Sequence, residues 1–270
     1  MLAKAGCKIN IGLDVLRRRS DGYHDIETVM YPVRELYDEI AVERCDSLRF
    51  VQDGIAVDCA DEHNLCVKAY RLMQQQFGIG GAAIRLTKRV PFGAGLGGGS
   101  SDATATIMLL NDLFGLALPE RELLSLAASL GSDTPFFVRN EPQFCSGRGE
   151  VLAPVALPLA GKYVVIMKPD EGISTREAYS GVCPAVPSVR LGDALQMPLS
   201  QWRTCVKNDF EPHLFAAHPR LAQLKRYLYD LGAVYASMSG SGSAVFGLFD
   251  ERPQVVPPFE NIFIHIEILS

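Results

Sequence analysis

The sequence predicts an α+β protein of two successive mixed lobes with mostly antiparallel sheets. Three observations predict it. Several segments alternate apolar and polar residues at the two-residue period of a strand, among them "KINIGLDVL" (8–16) and "AAIRLTKRV" (82–90). Other segments repeat leucines at helical spacing and stop at a glycine, such as "RLAQLKRYLYDLG" (220–232). One run rich in proline and small residues, "APVALPLAGK" (153–162), marks a seam between a first lobe, residues 1–157, and a second, residues 158–270.

The elements follow in order. In the first strand Ile9, Ile11, Leu13 and Val15 share one face, and Lys8, Asn10 and Asp14 share the other, which reads as solvated. The chain turns at Asp21-Gly22 and resumes extended. "LRFVQDGIAV" reads as a hairpin around Asp53-Gly54. A helix from about Asn64 to Phe77 closes at Gly78. Strand 82–90 sets Ile84, Leu86 and Lys88 against Arg85, Thr87 and Arg89, so it is half-exposed. A helix from Asp102 to Phe114 stops at Gly115, and Pro119 opens the next, with Leu123, Leu124, Ala127 and Leu130 on one face. Beyond the seam, "KYVVIMKP" is a buried apolar strand. The helix at 220–232 turns Leu221, Leu224, Leu228 and Leu231 inward. "AVYASM", Ser239-Gly-Ser-Gly and "SAVFGLF" read as strand, glycine loop, strand, and "NIFIHIEIL" is a last strand.

At 270 residues, 48% hydrophobic and 21% charged, the composition is that of a globular protein. The 26 basic and 31 acidic residues leave a charge of −5, which argues against nucleic acid or an anionic membrane as partner. It leaves room for a small anion held by backbone amides. The seven cysteines include no C-x-x-C pair. Cys59, His63 and Cys66 lie close in sequence but lack a fourth ligand, so reduced structural thiols are the expectation. "MLAKAGCKIN" carries no apolar core of signal-peptide length and no segment reaches the length of a membrane span, so the expected location is the cytoplasm.

"PFGAGLGGGSSD" (91–102) places five glycines in seven positions directly before a helix. Glycine costs conformational entropy, and a simple turn needs one or two; several amides feeding a helix N-terminus suit a phosphate. The run satisfies G-x-G-x-x-G, but the preceding strand alternates where a strand buried on both faces would be continuously apolar. No lysine follows the last glycine, so it is not a Walker loop. Ser100 and Ser101 stand there instead, placed to cap the helix and to offer hydroxyls to a phosphate or to a magnesium ion.

This loop resembles the ATP loop of the GHMP kinase superfamily, which includes galactokinase, homoserine kinase and mevalonate kinase. "KINIGLDVLRRRSDGYH", "GSDTPFF", "NDFE" (208–211) and "MSGSGSAVFGLF" resemble the family in the same order, across nearly the whole chain. Cys7 and Thr104 depart from the pattern without touching the chemistry. The resemblance implies a two-lobed fold, the first lobe like the second domain of ribosomal protein S5 and the second ferredoxin-like, with ATP and an alcohol meeting in the cleft between them. It implies an ATP-dependent small-molecule kinase using ATP with Mg²⁺, whose metal ligands the sequence leaves unassigned. The triple glycine and "DGYH" point within the family to an alcohol bearing a cytidine diphosphate. The other readings are a homoserine- or mevalonate-type kinase and a non-catalytic nucleotide- or RNA-binding module.

By the same resemblance, Pro91, Phe92, Gly93, Ala94, Gly95, Leu96, Gly97, Gly98, Gly99, Ser100 and Ser101 hold the ATP phosphates. On spacing alone Asp133 reads as a capping or turn aspartate, and Lys8 as a solvated strand lysine. The resemblance makes Asp133 the acceptor of the substrate hydroxyl's proton and Lys8 its cation. Asn10, Tyr23, His24, Thr175 and Tyr179 contact the substrate, with cytosine stacked between Tyr23 and Tyr179 and its edge read by His24. A monomer or weak homodimer is expected.

Overall fold

The computed structural model describes residues 1–56 and 60–270. In chain order the strands are β1 (Leu2–Arg18), β2 (His24–Arg44), β3 (Arg49–Gly54), β4 (Ala82–Lys88), β5 (Gln143–Ser146), β6 (Val151–Pro154), β7 (Tyr163–Pro169), β8 (Tyr235–Met238), β9 (Val245–Phe249) and β10 (Ile262–Ile268). The helices are α1 (Leu65–Phe77), α2 (Gly98–Phe114), α3 (Glu120–Leu130), α4 (Phe136–Arg139), α5 (Thr175–Ser180), α6 (Leu191–Ala194), α7 (Trp202–Cys205), α8 (Glu211–Ala217) and α9 (Pro219–Asp230). The chain forms two compact units that are interleaved in sequence. One comprises Met1–Lys8, Pro32–Phe92 and Gly97–Glu141; the other comprises Ile9–Tyr31, Gly93–Leu96 and Pro142–Ser270. A division at 157/158 does not anticipate this, because β1 and β2 are long enough to contribute one half of each strand to each unit.

In the first unit, the C-terminal half of β2 pairs antiparallel with β4, from Glu39 opposite Thr87 to Arg44 opposite Ala82. β3 lies parallel to β4, with Asp53 beside Thr87 and Gly54 beside Lys88. The hairpin expected around Asp53-Gly54 is therefore absent: the chain crosses over through α1 before β4 pairs with β3, and a parallel partner requires such a crossover. Val57 of that expected hairpin, and Cys59, lie outside the described residues. α1 starts where the Asn64 side chain accepts the Cys66 N–H at 2.9 Å and ends at the left-handed Gly78. Ile84, Leu86, Tyr70, Met73, Ile107, Leu110 and Leu126 belong to one buried cluster of sheet and helix residues. On α3 the buried pair is Leu126 and Ala127, whereas Leu123, Leu124 and Leu130 are only half-buried. Leu123 and Leu130 of the expected face still pack against the cluster and Ala127 is buried as expected; Leu126, which lies outside that face, joins the buried set.

In the second unit, the N-terminal half of β2 pairs with β5, and β5 with β6, both antiparallel. A second antiparallel sheet runs β10-β7-β9-β8. α9 lays Leu221, Leu224 and Leu228 into this sheet's core, while Leu231, at the helix end, stays half-buried. The i, i+3, i+7 spacing buries three leucines, and the fourth falls past the last turn.

β1 departs most from its expected form. From Ala5 to Val15 it is buried on both faces, so Lys8, Asn10 and Asp14 are interior residues rather than a solvated stripe. Asp14 illustrates the cost. Burial, with the Asp209 and Glu27 carboxylates nearby, pushes its carboxyl up to about 6. In this range the folded chain holds a proton the unfolded chain has lost, so stability falls as pH rises from about 4 to about 6 and stays lower above that. Asp14→Asn is expected to raise stability by about 1–3 kcal/mol at pH 7.5 and to change it little at pH 4, read from urea midpoints at the two pH values. Leu224→Ala should cost about 2–5 kcal/mol in the same assay, and Leu231→Ala less than about half of that.

Candidate active site

The glycine loop alternates left-handed residues: Gly93, Gly95 and Gly97 have φ of +61°, +71° and +70°. Two of these are set by close approach. A Cβ on Gly95 would stand 2.0 Å from the Ser239 carbonyl oxygen, and one on Gly97 would stand 3.0 Å from Phe137 and 3.1 Å from Lys8. Part of the glycine content is therefore a packing requirement. α2 begins at Gly98, four residues before the expected start, because the Ser101 N–H already bonds to the Gly97 carbonyl at 2.9 Å. Ser100 and Ser101 are consequently inside the first turn and do not cap it. The N-cap is Gly97, and no capping side chain accepts from the first N–H groups of this 17-residue helix. Those amides and the positive end of the helix dipole suit an anion. The residues of the loop fit a nucleotide phosphate on these grounds.

Gly97 also meets the ion pair the sequence singled out. Lys8 Nζ stands 3.2 Å from Asp133 Oδ2; the Lys8 side chain is 3% exposed and that of Asp133 35%. α4, which follows, takes Pro135 as its N-cap with no side-chain bond, so Asp133 does not serve as a helix cap. Burying an ammonium costs several kcal/mol, and an apolar residue of similar size would give equal or better stability. A buried lysine turned toward a partly accessible carboxylate is thus poorly explained by stability. The Thr104 hydroxyl lies 2.9 Å from the Thr134 carbonyl oxygen and 3.0 Å from that of Ser100. It ties the first turn of α2 to the residue after Asp133. Thr104 therefore touches the site's framework, which a departure read as remote from the chemistry did not foresee.

In the second unit the first half of the loop is held by the second glycine segment. The Ser239 hydroxyl donates to the Gly95 carbonyl at 2.9 Å and accepts the Asn10 N–H at 3.1 Å, and the Ala244 N–H reaches the Ala94 carbonyl at 3.1 Å. The "NDFE" segment braces this framework. Asn208 Nδ2 donates to the Met238 and Gly240 carbonyls, both at 2.9 Å; Asp209 accepts the Val15 N–H at 2.8 Å; Glu211 accepts the Met238 N–H at 2.8 Å.

The predicted substrate residues divide. His24 and Tyr179 stack, with centroids 4.8 Å apart and planes 19° from parallel, and Phe210 meets Tyr179 edge-on at 4.8 Å. Burial, aided by Arg18, lowers the His24 imidazole below its usual value, which favours the neutral ring. The Tyr23 ring is turned to the Arg148 guanidinium at 4.9 Å, so the ring that faces Tyr179 is His24 and not Tyr23. Thr175 is exposed at the start of α5, one turn before Tyr179. Asn10 is buried, and its Nδ2 donates to the Thr28 hydroxyl at 3.0 Å. Among the described residues no group of three or more His, Cys, Asp or Glu is arranged to hold a metal.

An uncapped helix start suited to an anion, packed against a lysine–aspartate pair, is compatible with phosphoryl transfer to a hydroxyl. The GHMP kinases N terminal domain matches residues 64–141, and the GHMP kinases C terminal domain matches residues 191–256. The chain belongs to the GHMP kinases, and it is an ATP-dependent kinase. It is 45% identical to the 4-diphosphocytidyl-2-C-methyl-D-erythritol kinase of Parabacteroides distasonis, covering 93% of this chain and 92% of the relative. It is 43% identical to the enzyme of the same name from Bacteroides fragilis, covering 97% of each. A crystal structure of 4-(cytidine 5'-diphospho)-2C-methyl-D-erythritol kinase superimposes with a TM-score of 0.79 at 35% identity, over 92% of this chain and 90% of that one. No helix among the described residues is long and apolar enough to cross a membrane.

Two substitutions separate packing from ligand binding in the loop. Gly97→Ala is expected to lower stability by about 1–2 kcal/mol, since it forces a side chain into a left-handed residue and against Lys8. Gly99→Asp has only Leu65 near its Cβ, at 3.4 Å, and acid is favourable in a first helical turn. It should keep the thermal midpoint and weaken ADP more than about tenfold in calorimetric titration, by charge repulsion at the amides.

Proposed function

We propose that the chain transfers the γ-phosphoryl group of ATP to the 2-hydroxyl of 4-diphosphocytidyl-2-C-methyl-D-erythritol. The products are the 2-phosphate and ADP, a step toward isoprenoid precursors by the non-mevalonate route. The single observation that supports it most is the Lys8–Asp133 pair lying against Gly97, the residue from which α2 starts. ATP supplies the phosphoryl group; Mg²⁺ would come with it, its ligands shared with the phosphate oxygens. The loop 91–101 holds the phosphates through its amides. Asp133 accepts the hydroxyl's proton, late in a loose transition state in which the nucleophile needs little early activation, and Lys8 holds the carboxylate in place.

The base would be recognised in the second unit by Tyr179, His24 and Tyr23, with Thr175 and Asn10 as further contacts. A ring inserted between two others needs about 7 Å, twice the contact distance of stacked carbons. His24 and Tyr179 are 4.8 Å apart. Cytosine would therefore take the place of the His24 ring on Tyr179, leaving the neutral imidazole to hydrogen-bond the base edge.

Asp133→Asn should reduce turnover by about 10²–10⁴ with nucleotide affinity nearly intact, measured by coupled ADP release and by titration. Tyr179→Ala should weaken the cytidyl substrate about tenfold to a hundredfold while the KM for ATP stays level. The comparison that tests the substrate is kcat/KM for the cytidyl alcohol against methylerythritol phosphate, homoserine and mevalonate. Equal values for the first two would remove the cytosine pocket, and turnover of either of the last two in preference would move the chain to another branch of the family.

A further inference from the structure

A second buried charge cluster lies in the first unit, outside the residues assigned to the reaction. Lys88, Asp38 and Asp102 are all buried. Lys88 Nζ donates to Asp38 Oδ2 and, at 2.8 Å, to Asp102 Oδ2. Asp38 Oδ1 also accepts the N–H groups of Arg89 and Val90, at 2.5 and 2.8 Å. Asp102 is poorer in partners: its Oδ1 is buried without a hydrogen bond. The cluster reaches the phosphate loop through Gly98, where an added Cβ would stand 3.3 Å from Lys88 Nζ. Sequence spacing held the signal, since Lys88 shares the apolar face of β4 with Ile84 and Leu86.

We propose that Lys88, Asp38 and Asp102 position and electrically balance the phosphate loop, and that Asp102 is the group which takes up a proton when nucleotide phosphate binds. The inference rests on the loop's phosphate-binding reading. Its geometric basis is the unequal sharing of donors. Asp38 receives three hydrogen bonds and Asp102 one, so Asp102 is where a proton is least opposed. Burial, with Asp38 adding and Lys88 opposing, pushes the Asp102 carboxyl up to about 8. Burial alone would lower the Lys88 ammonium, and the two carboxylates more than reverse this, so Lys88 stays charged. The other titratable group facing Asp102 is the Cys66 thiol of α1, which burial raises and keeps neutral.

With Asp102 protonated, the charges of Lys88 and Asp38 cancel. Ionised, Asp102 adds a net negative charge one turn inside the helix that faces the phosphates. Phosphate binding then favours the protonated form, and by reciprocity protonation favours binding. Asp102 and Lys88 are positioning residues in this account; they act through the first turn of α2.

The test is the affinity for ADP from pH 7.5 to 9.5, a range in which the nucleotide's own phosphate is already ionised. Calorimetry in buffers of different ionisation enthalpy reports protons taken up on binding. Affinity should fall about five- to tenfold across the range, as expected for unit charges roughly 10 Å apart at an effective dielectric of about 20. Net proton uptake should appear between pH 8 and 9. In Asp102→Asn, which keeps the shape without the titration, both effects should vanish and binding at pH 9.5 should exceed the parent's. A parent affinity that is flat with pH, or binding without proton uptake, overturns the proposal whether or not the variant folds. A slope unchanged in Asp102→Asn overturns it as well. Gly99→Asp keeps the two readings apart. If it abolishes ADP binding while the parent's profile is flat, only this inference fails. If it binds ADP undiminished, the phosphate-loop reading fails and this inference with it.

Discussion

The approach of Gly97 to the stem of Lys8 is the constraint on which the site in the first unit depends. Because residue 97 has no side chain and adopts a left-handed conformation, α2 can start beside a buried lysine instead of a side chain's width away. The helix's uncapped N–H groups and the Lys8–Asp133 pair are thereby brought to one place. In the function proposed above these two parts have separate electrostatic tasks, one for phosphate charge and one for the hydroxyl proton. Any larger residue at 97 would disturb both together.

The second unit shows how buried polar residues build a hydrogen-bonded frame around the glycine segments. Asn208 and Glu211 both bond the backbone of Met238, at its carbonyl and its N–H, Asp209 accepts from Val15 of β1, and Ser239 passes the connection on to Gly95 and Asn10. Buried polar groups of this kind are worth little net stability when satisfied and are costly when one partner is removed. They specify one arrangement of the glycine loops. The stacked His24 and Tyr179, backed edge-on by Phe210, extend the same unit to an aromatic surface.

Charge burial divides the interior polar residues by what surrounds them. Asp14 sits among other carboxylates and gains nothing from its burial, whereas Asp38 is met by a lysine and two amides. The same residue type is thus a liability in one strand and a brace in another. The difference lies in the donors that neighbouring elements present, which is a property of packing.

Much of the chain was legible in the sequence. The alternation in β4, the leucine spacing of α9, the glycine stops and the loop before α2 are local patterns, and local sterics and hydrogen bonding impose them wherever they occur. Asp133 and Lys8 were identified by resemblance to the family, not by spacing, which favoured a capping aspartate and a solvated lysine. Three things were decided by tertiary structure. The polar stripe of β1 became interior because other elements cover both faces, and periodicity reports which residues share a face but not what covers it. Asp53-Gly54 joined a parallel pair because β4, across a helical crossover, was the available partner. Tyr179 came to face His24 rather than Tyr23 because two rings from distant segments meet only when their strands and helices have packed, and no residue near either one in sequence records that choice.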